Sequence, residues 1–405
     1  MPAFSFNLEK LTDQQRNALT QFKERFLEFR QPYLKDDLYM LHWLAAKKFD
    51  LAEAERILRK HLRYRSCLQM DEAGYLNSQF EEAAYYYPTG TYGYTKDGLP
   101  VVYHAFGNVD GKGLLYSARS SECCRYVYYC TEVEKVHCHK TTEKSQRPID
   151  QQVLVLDMEG LSLRFLWKPV MDIFSILCEI CILNMPEYIQ KVYVVNTPAI
   201  FPYIYSLFSP LVDPALCEKC VISSTANTTT TLLKVIDADQ LPKRYGGLAT
   251  GPNNDPDCSH QIKYGGPVPK SLYFVDPFID HLPSLQKRTV SRGQQWLQIL
   301  EITDQPAYIF WYYTVKGGDL GFGIYSLPSA TTEDDLSKLD IESLDMVAPY
   351  GRWLNILPEF GQLKAKPGKY LIQFDNRYSR FWSKEIHYHI EITETVKPNF
   401  NCYQE

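Results

Sequence analysis

Near residue 270 the spacing of apolar side chains changes, and with it the kind of sheet the chain can build. Upstream, PVVYHAF (100–106), VLVLD (153–157), KVYVVN (191–196) and CVISS (220–224) are short, almost wholly apolar runs. Helical stretches lie between them, among them SECCRYVYYCTEVEKVHCHK and WKPVMDIFSILCEICIL. Near-continuous apolar strands that alternate with helices imply an α/β layer, a mostly parallel sheet with flanking helices. Downstream the period becomes two, in WLQILEI, AYIFWYYTV, LGFGIYS, KYLIQFD and EIHYHIEI. Short, regularly spaced strands joined by turns such as PGKY and DNRYS predict an all-β antiparallel sandwich.

The first 75 residues read as a small helical bundle. Thr12 with Gln15 makes a capping-box start, and Leu19, Phe22, Phe26 and Phe29 keep helical spacing. Asp36–Asp37 open a second helix, and Asp50 with Glu53 a third, whose Arg56, Arg59, Lys60, Arg63 and Arg65 read as a solvated polar face. The expected divisions are a helical bundle at 1–75, an α/β domain at 76–248, a Gly/Pro/Asn-rich linker at 249–274 and the sandwich at 275–398. The acidic TTEDDLSKLD (331–340) is expected to be a mobile loop.

Composition narrows the function. A net charge of −5 and a pI near 6.0 argue against nucleic-acid partners. Aromatics at 14%, with 30 Tyr, suit aromatic-lined cavities. MPAFSFNLEK lacks a basic segment followed by an apolar run, and no stretch reaches the ~18 apolar residues of a spanning helix. Eleven cysteines, an odd number, fit a reduced compartment, so a cytoplasmic location is expected.

Catalytic signatures fail in turn. GLSLR at 160–164 lacks the second glycine of a nucleophile elbow. GKG (111–113) and GFG (321–323) lack the further glycine of a dinucleotide fingerprint. Asp157 reads as a loop-capping aspartate. Cys178/Cys181 and Cys217/Cys220 are CxxC pairs, but the first lies mid-helix and 35 residues separate it from the second, so buried free thiols are expected. The His137–Cys138–His139 triplet reads as a helix surface. No enzyme, metal or cofactor is implied.

What remains is NTPAIFPYIYSLFSPLVDP (196–214), with four prolines, four aromatics, five branched aliphatics and one charge. On a helix from Ile200 to Val212, Ile200, Ile204, Leu207 and Leu211 form one apolar stripe, and Phe201, Tyr205, Phe208 and Val212 a second beside it. Glu187, after Asn184 and Pro186, reads alone as a first-turn helix acid, and Lys219 as a surface lysine.

HWLAAKKFD (42–50), YTKDGLPVVY (94–103), the 196–214 stretch and LPKRYGG (241–247) together resemble the CRAL-TRIO family of lipid-binding and lipid-transfer proteins. LGFGIY and PGKYLIQFDNRYSRFWSKEIHYHIEI resemble a GOLD domain, a jelly-roll-like sandwich. The resemblance implies a closed apolar cavity holding one lipid, a phospholipid such as phosphatidylinositol or an isoprenoid-type lipid such as tocopherol or squalene. It implies a mobile helix as gate, here carrying Phe201, Ile204, Tyr205, Leu207, Phe208, Leu211 and Val212. It further implies that Glu187 and Lys219 grip the headgroup, with transient membrane contact during exchange. A protein partner through the GOLD domain is also implied; a lipid-sensing scaffold without net transfer is the alternative. Two positions depart from the family pattern: His42, Ala45 and Lys47 replace an arginine-rich run, and Lys243–Arg244 stand where an acid usually precedes the aromatic.

Overall fold

The structure is a computed structural model that describes residues 8–72, 74–75, 82–145, 148–278, 282, 284–303 and 305–396. The opening MPAFSFN lies outside the described residues. The chain divides into two compact units. One comprises Met1–His61, Gln79–Leu114 and Arg125–Leu272; the other comprises Leu62–Ser78, Leu115–Cys124 and Tyr273–Glu405.

In the first unit the helical starts follow the capping residues. Helix α1 (Asp13–Glu24) opens on the reciprocal Thr12–Gln15 box. Helix α2 (Asp37–Ala46) is capped by Asp36, which accepts from the Tyr39 amide at 2.9 Å. Helix α3 (Leu51–Cys67) follows Asp50, whose carboxylate accepts from the Glu53 amide. The polar face of α3 is ion-paired, Arg56 with Glu53 and Arg59 with Glu55 and Glu28.

Five strands follow, interleaved with helices: β1 (Gly90–Tyr94), β2 (Pro100–His104), α4 (Gly111–Ser117), α5 (Ser120–Ser145), β3 (Gln152–Asp157), α6 (Lys168–Asn184), β4 (Ile189–Thr197), α7 (Phe201–Phe208), α8 (Pro214–Glu218), β5 (Cys220–Ser224) and α9 (Thr228–Leu233). The sheet order is β1-β2-β3-β4-β5, with β1 antiparallel to β2 and the rest parallel. Right-handed crossovers between parallel strands laid down in order place their helices on one face of a sheet. The other face packs as solid core: Val101, Tyr103, Val153, Val155, Tyr193 and Val195 meet Leu232, Ile236, Leu241, Tyr245, Cys258 and Ile262. The stretch expected as a linker therefore contributes Cys258 and Ile262, both fully buried, to this core.

The second unit holds two four-stranded antiparallel sheets, consistent with the GOLD resemblance. Its strands are β6 (Gln286–Val290), β7 (Gln295–Ile302), β8 (Ala307–Lys316), β9 (Asp319–Leu327), β10 (Met346–Leu354), β11 (Glu359–Ala365), β12 (Gly368–Asp375) and β13 (Lys384–Thr393). They pair in the orders β10-β9-β12-β7 and β11-β8-β13-β6. Aromatic rings join the two sheets: Tyr313 of β8 lies 4.9 Å from Phe322 of β9 and 5.2 Å from Phe374 of β12. The period of two breaks in β8, where five consecutive residues, Ile309–Tyr313, are buried. Phe278, with Phe274 and Leu282, covers the second face of that strand, at Phe310 and Tyr312. The acidic stretch at 331–340 is not a loose loop. Glu333–Lys338 form a 3-10 turn with a Thr332–Asp335 capping box, and Leu336 and Leu339 anchor it on the Tyr325–Leu371 cluster.

Candidate functional site

The sheet face opposite the solid core carries His104, Leu154 and Leu156, all half-buried, beside the buried Val102, Val192 and Val194. Rings extend outward from it. Tyr87 lies 6.3 Å from His104 and 5.8 Å from Tyr126 of α5, both edge-on. Phe106 lies 5.4 Å from Phe174 of α6, which in turn meets Phe208 of α7 at 5.0 Å. Burial pushes the His104 imidazole down to about 4 and raises the Tyr87, Tyr126 and Cys181 groups well above their ordinary values. Yet all four keep accessible surface. Glu134 accepts from Gln152 Nε2 at 2.6 Å, and burial raises its carboxyl to about 7. Phe208, in the apolar stretch, and Cys181, in a CxxC pair, stood out in the sequence, but Tyr87, His104, Tyr126 and Glu134 did not. The signal was present: Tyr126, Cys130 and Glu134 stand at i, i+4 and i+8 on one helix face.

The segment after β4 is shorter in helix than its stripes predict. Asn196 leaves the strand with φ of 51°, held by its amide to Thr228 Oγ1 at 3.0 Å and by Nδ2 to Asp157 at 2.9 Å. Helix α7 stops at Phe208 because Pro210 has no amide to continue the ladder; Ser209–Leu211 tighten into a 3-10 turn and Val212 is extended. Asp213 then caps α8, accepting from the Ala215 amide at 2.7 Å. The two expected stripes are therefore redistributed. Phe201, Ile204 and Phe208 are buried, while Tyr205 and Val212 are half-buried. Leu207 and Leu211 are each 38% exposed, beside Tyr203 at 57%.

Glu187 and Lys219 meet. Lys219 Nζ donates to Glu187 Oε2 at 2.8 Å and to the Ile189 carbonyl at 2.9 Å. Glu187 does not start a helix. Helix α6 has ended at Asn184, and Glu187 sits in the turn before β4 with φ of 58°, in the left-handed region. Such a conformation is uncommon for a non-glycine residue and costs of order 1–3 kcal/mol. Gln151 Nε2 holds the turn through the Glu187 carbonyl at 2.9 Å. His42 is wholly buried next to this turn, bonded to the Pro186 carbonyl at 2.9 Å and to Asp150 at 3.1 Å. Lys219 precedes β5, so the pair lies at the amino ends of two parallel strands. Helix α7 departs from the carboxyl end of β4, and the 198–219 segment returns the length of the sheet to reach the pair.

Asp157 caps its own turn, accepting from the Glu159 amide at 3.0 Å, from Asn196 and from the Tyr245 hydroxyl at 3.1 Å. Arg244 spreads over Asp157, Glu159 and Asp257, so the unexpected basic residue ties the end of β3 to the 255–258 loop. The CxxC cysteines are half-buried, and burial pushes the Cys178 thiol up to about 12 and the Cys220 thiol to about 11. Of the His137–Cys138–His139 triplet, only His139 is fully at the surface; Cys138 is buried beneath it.

Residues 84–247 match the CRAL/TRIO domain family. Along nearly its whole length the chain is similar to protein ctg-1 of Caenorhabditis elegans. The two are 28% identical over 362 residues, which are 89% of this chain and 92% of that protein. Among solved structures it is similar to Sfh5, with a TM-score of 0.48 and 16% identity over 63% of this chain and 93% of that one. Among the described residues no helix is long and apolar enough to cross a membrane.

Proposed function

We propose that the CRAL/TRIO domain takes one lipid into a hollow between the His104 face of its sheet and helices α5 and α6, closed by α7, and exchanges it at membranes. One observation carries this reading: on the sheet face opposite the solid core His104, Leu154 and Leu156 are only half-buried, and the rings of Tyr87, Tyr126, Phe106 and Phe174 range beside them. Ligand sites are lined in this way, by apolar and aromatic side chains with a few polar groups among them.

The polar end of the ligand falls to Glu187 and Lys219. An inositol phosphate offers the ammonium a charge-assisted acceptor, and its hydroxyls donate to the carboxylate, so one ion pair serves both halves of the headgroup. A tocopherol- or squalene-like lipid uses the same walls and leaves the pair closed. The protein acts without chemistry on its ligand, as a carrier rather than an enzyme.

Exchange of a fluorescent phosphatidylinositol from donor to acceptor vesicles tests the proposal. The carrier reading predicts transfer that rises in proportion to protein concentration. Binding without exchange would favour a lipid-sensing scaffold that signals through its second unit.

A further inference from the structure

In the second unit two large aromatic side chains, Phe381 and Trp382, are exposed side by side. They are adjacent, 75% and 73% exposed, at the tip of the loop between β12 and β13. The loop is built, not slack. Asn376 Nδ2 donates to the carbonyls of Val290, Ser291 and Trp382, at 3.1, 3.2 and 2.9 Å. Ser379 Oγ donates to the Trp382 carbonyl at 2.8 Å and accepts from its amide at 3.3 Å. The Tyr378 hydroxyl donates to the Asp319 carbonyl at 2.8 Å. Asn376 and Ser383 also weld it to the turn at 291–294: the Gly293 amide donates to the Asn376 carbonyl at 3.1 Å, and the Arg292 amide to Ser383 Oγ at 3.2 Å. Two large aromatics are thus held in water by a network that fixes their backbone.

The charge around them is positive. Arg292, Arg377 and Arg380 are exposed on these two segments. The acids at this end are engaged: Asp375 by Arg377, Asp319 by Arg352 and Lys384, and Glu385 by Lys316 and His387. Arg292 and Arg380 therefore add positive charge beyond that of the ion pairs.

We infer that this loop end is a docking surface for an anionic lipid bilayer, with Phe381 and Trp382 entering the headgroup region and Arg292 and Arg380 facing acidic headgroups. Aromatic rings prefer the membrane interface, and each basic residue near an anionic leaflet strengthens association about fivefold. A preformed loop needs no ordering on contact. The loop belongs to the second unit, and the inference does not rest on the carrier reading.

Co-sedimentation of the full chain with vesicles of phosphatidylcholine, alone and mixed with phosphatidylserine, tests it. Wild type is expected to prefer the anionic vesicles. Phe381→Ser with Trp382→Ser should weaken that binding at least about tenfold while leaving the melting temperature and any co-purifying lipid unchanged. Arg292→Gln with Arg380→Gln should abolish the preference for phosphatidylserine. Trp382→Phe should keep binding but lose the blue shift of tryptophan emission that vesicles produce in wild type. Undiminished binding by the folded double-serine chain, or wild-type binding with no shift traceable to Trp382, overturns the inference. A protein partner lost by the double-serine chain while its vesicle binding stays intact overturns it in favour of a protein surface. A chain that carries no lipid yet docks through Trp382 would defeat the carrier reading and leave this one standing.

Discussion

Lys219 holds its carboxylate and carbonyl partners with a side chain that is one-quarter exposed. An ion pair at that exposure is worth no more than about 1 kcal/mol, so its loss leaves the fold intact. A phosphate buried against apolar walls without a cation is far more costly. Lys219→Ala is therefore expected to abolish phosphatidylinositol binding while tocopherol binding and the melting temperature persist; equal loss of both ligands would make Lys219 purely structural. The family resemblance singled out Glu187 and Lys219, 32 positions apart, and the two form an ion pair; their hold on a headgroup is what Lys219→Ala tests. The left-handed turn at Glu187 was not legible, because that conformation is signalled in sequence by Gly or Asn rather than Glu. His104 and Glu134 were equally hidden: what sets them apart is the depth at which they lie, which no local pattern encodes.

At the scale of the element, the proposed carrier uses α7 as its gate. Opening it in water exposes Phe201, Ile204 and Phe208, at roughly 1.5–3 kcal/mol each, so fewer than about one chain in a thousand is open. A bilayer removes that penalty by taking the stripe into hydrocarbon. Tyr203, Leu207 and Leu211 are exposed in the closed state. Leu207→Asp with Leu211→Asp should change stability by no more than about 0.5 kcal/mol per site and sharply slow transfer between vesicles. A folded double variant that transfers at the wild-type rate contradicts the gate. The apolar richness of this segment was legible, but its division was not. Counting stripes on one long helix ignores Pro210, which ends α7 after eight residues and rotates the later side chains off the expected face.

For the whole molecule, the change of period near residue 270 foretold the parallel sheet and the antiparallel sandwich, because strand periodicity reports which faces are covered. Segments whose structure depends on distant partners escaped. The 251–270 stretch has the composition of a linker, but Cys258 and Ile262 belong to the sheet core. The 331–340 stretch has the charge of a loop, but Leu336 and Leu339 pin it. The function proposed for the first unit requires a hollow that holds lipid. Native mass spectrometry of the freshly purified full chain, with extraction and identification of what it carries, measures that claim directly. We predict a mass increment of a single lipid per chain, released on denaturation and replaced after incubation with vesicles. A folded chain that carries no lipid and acquires none from vesicles would contradict the account.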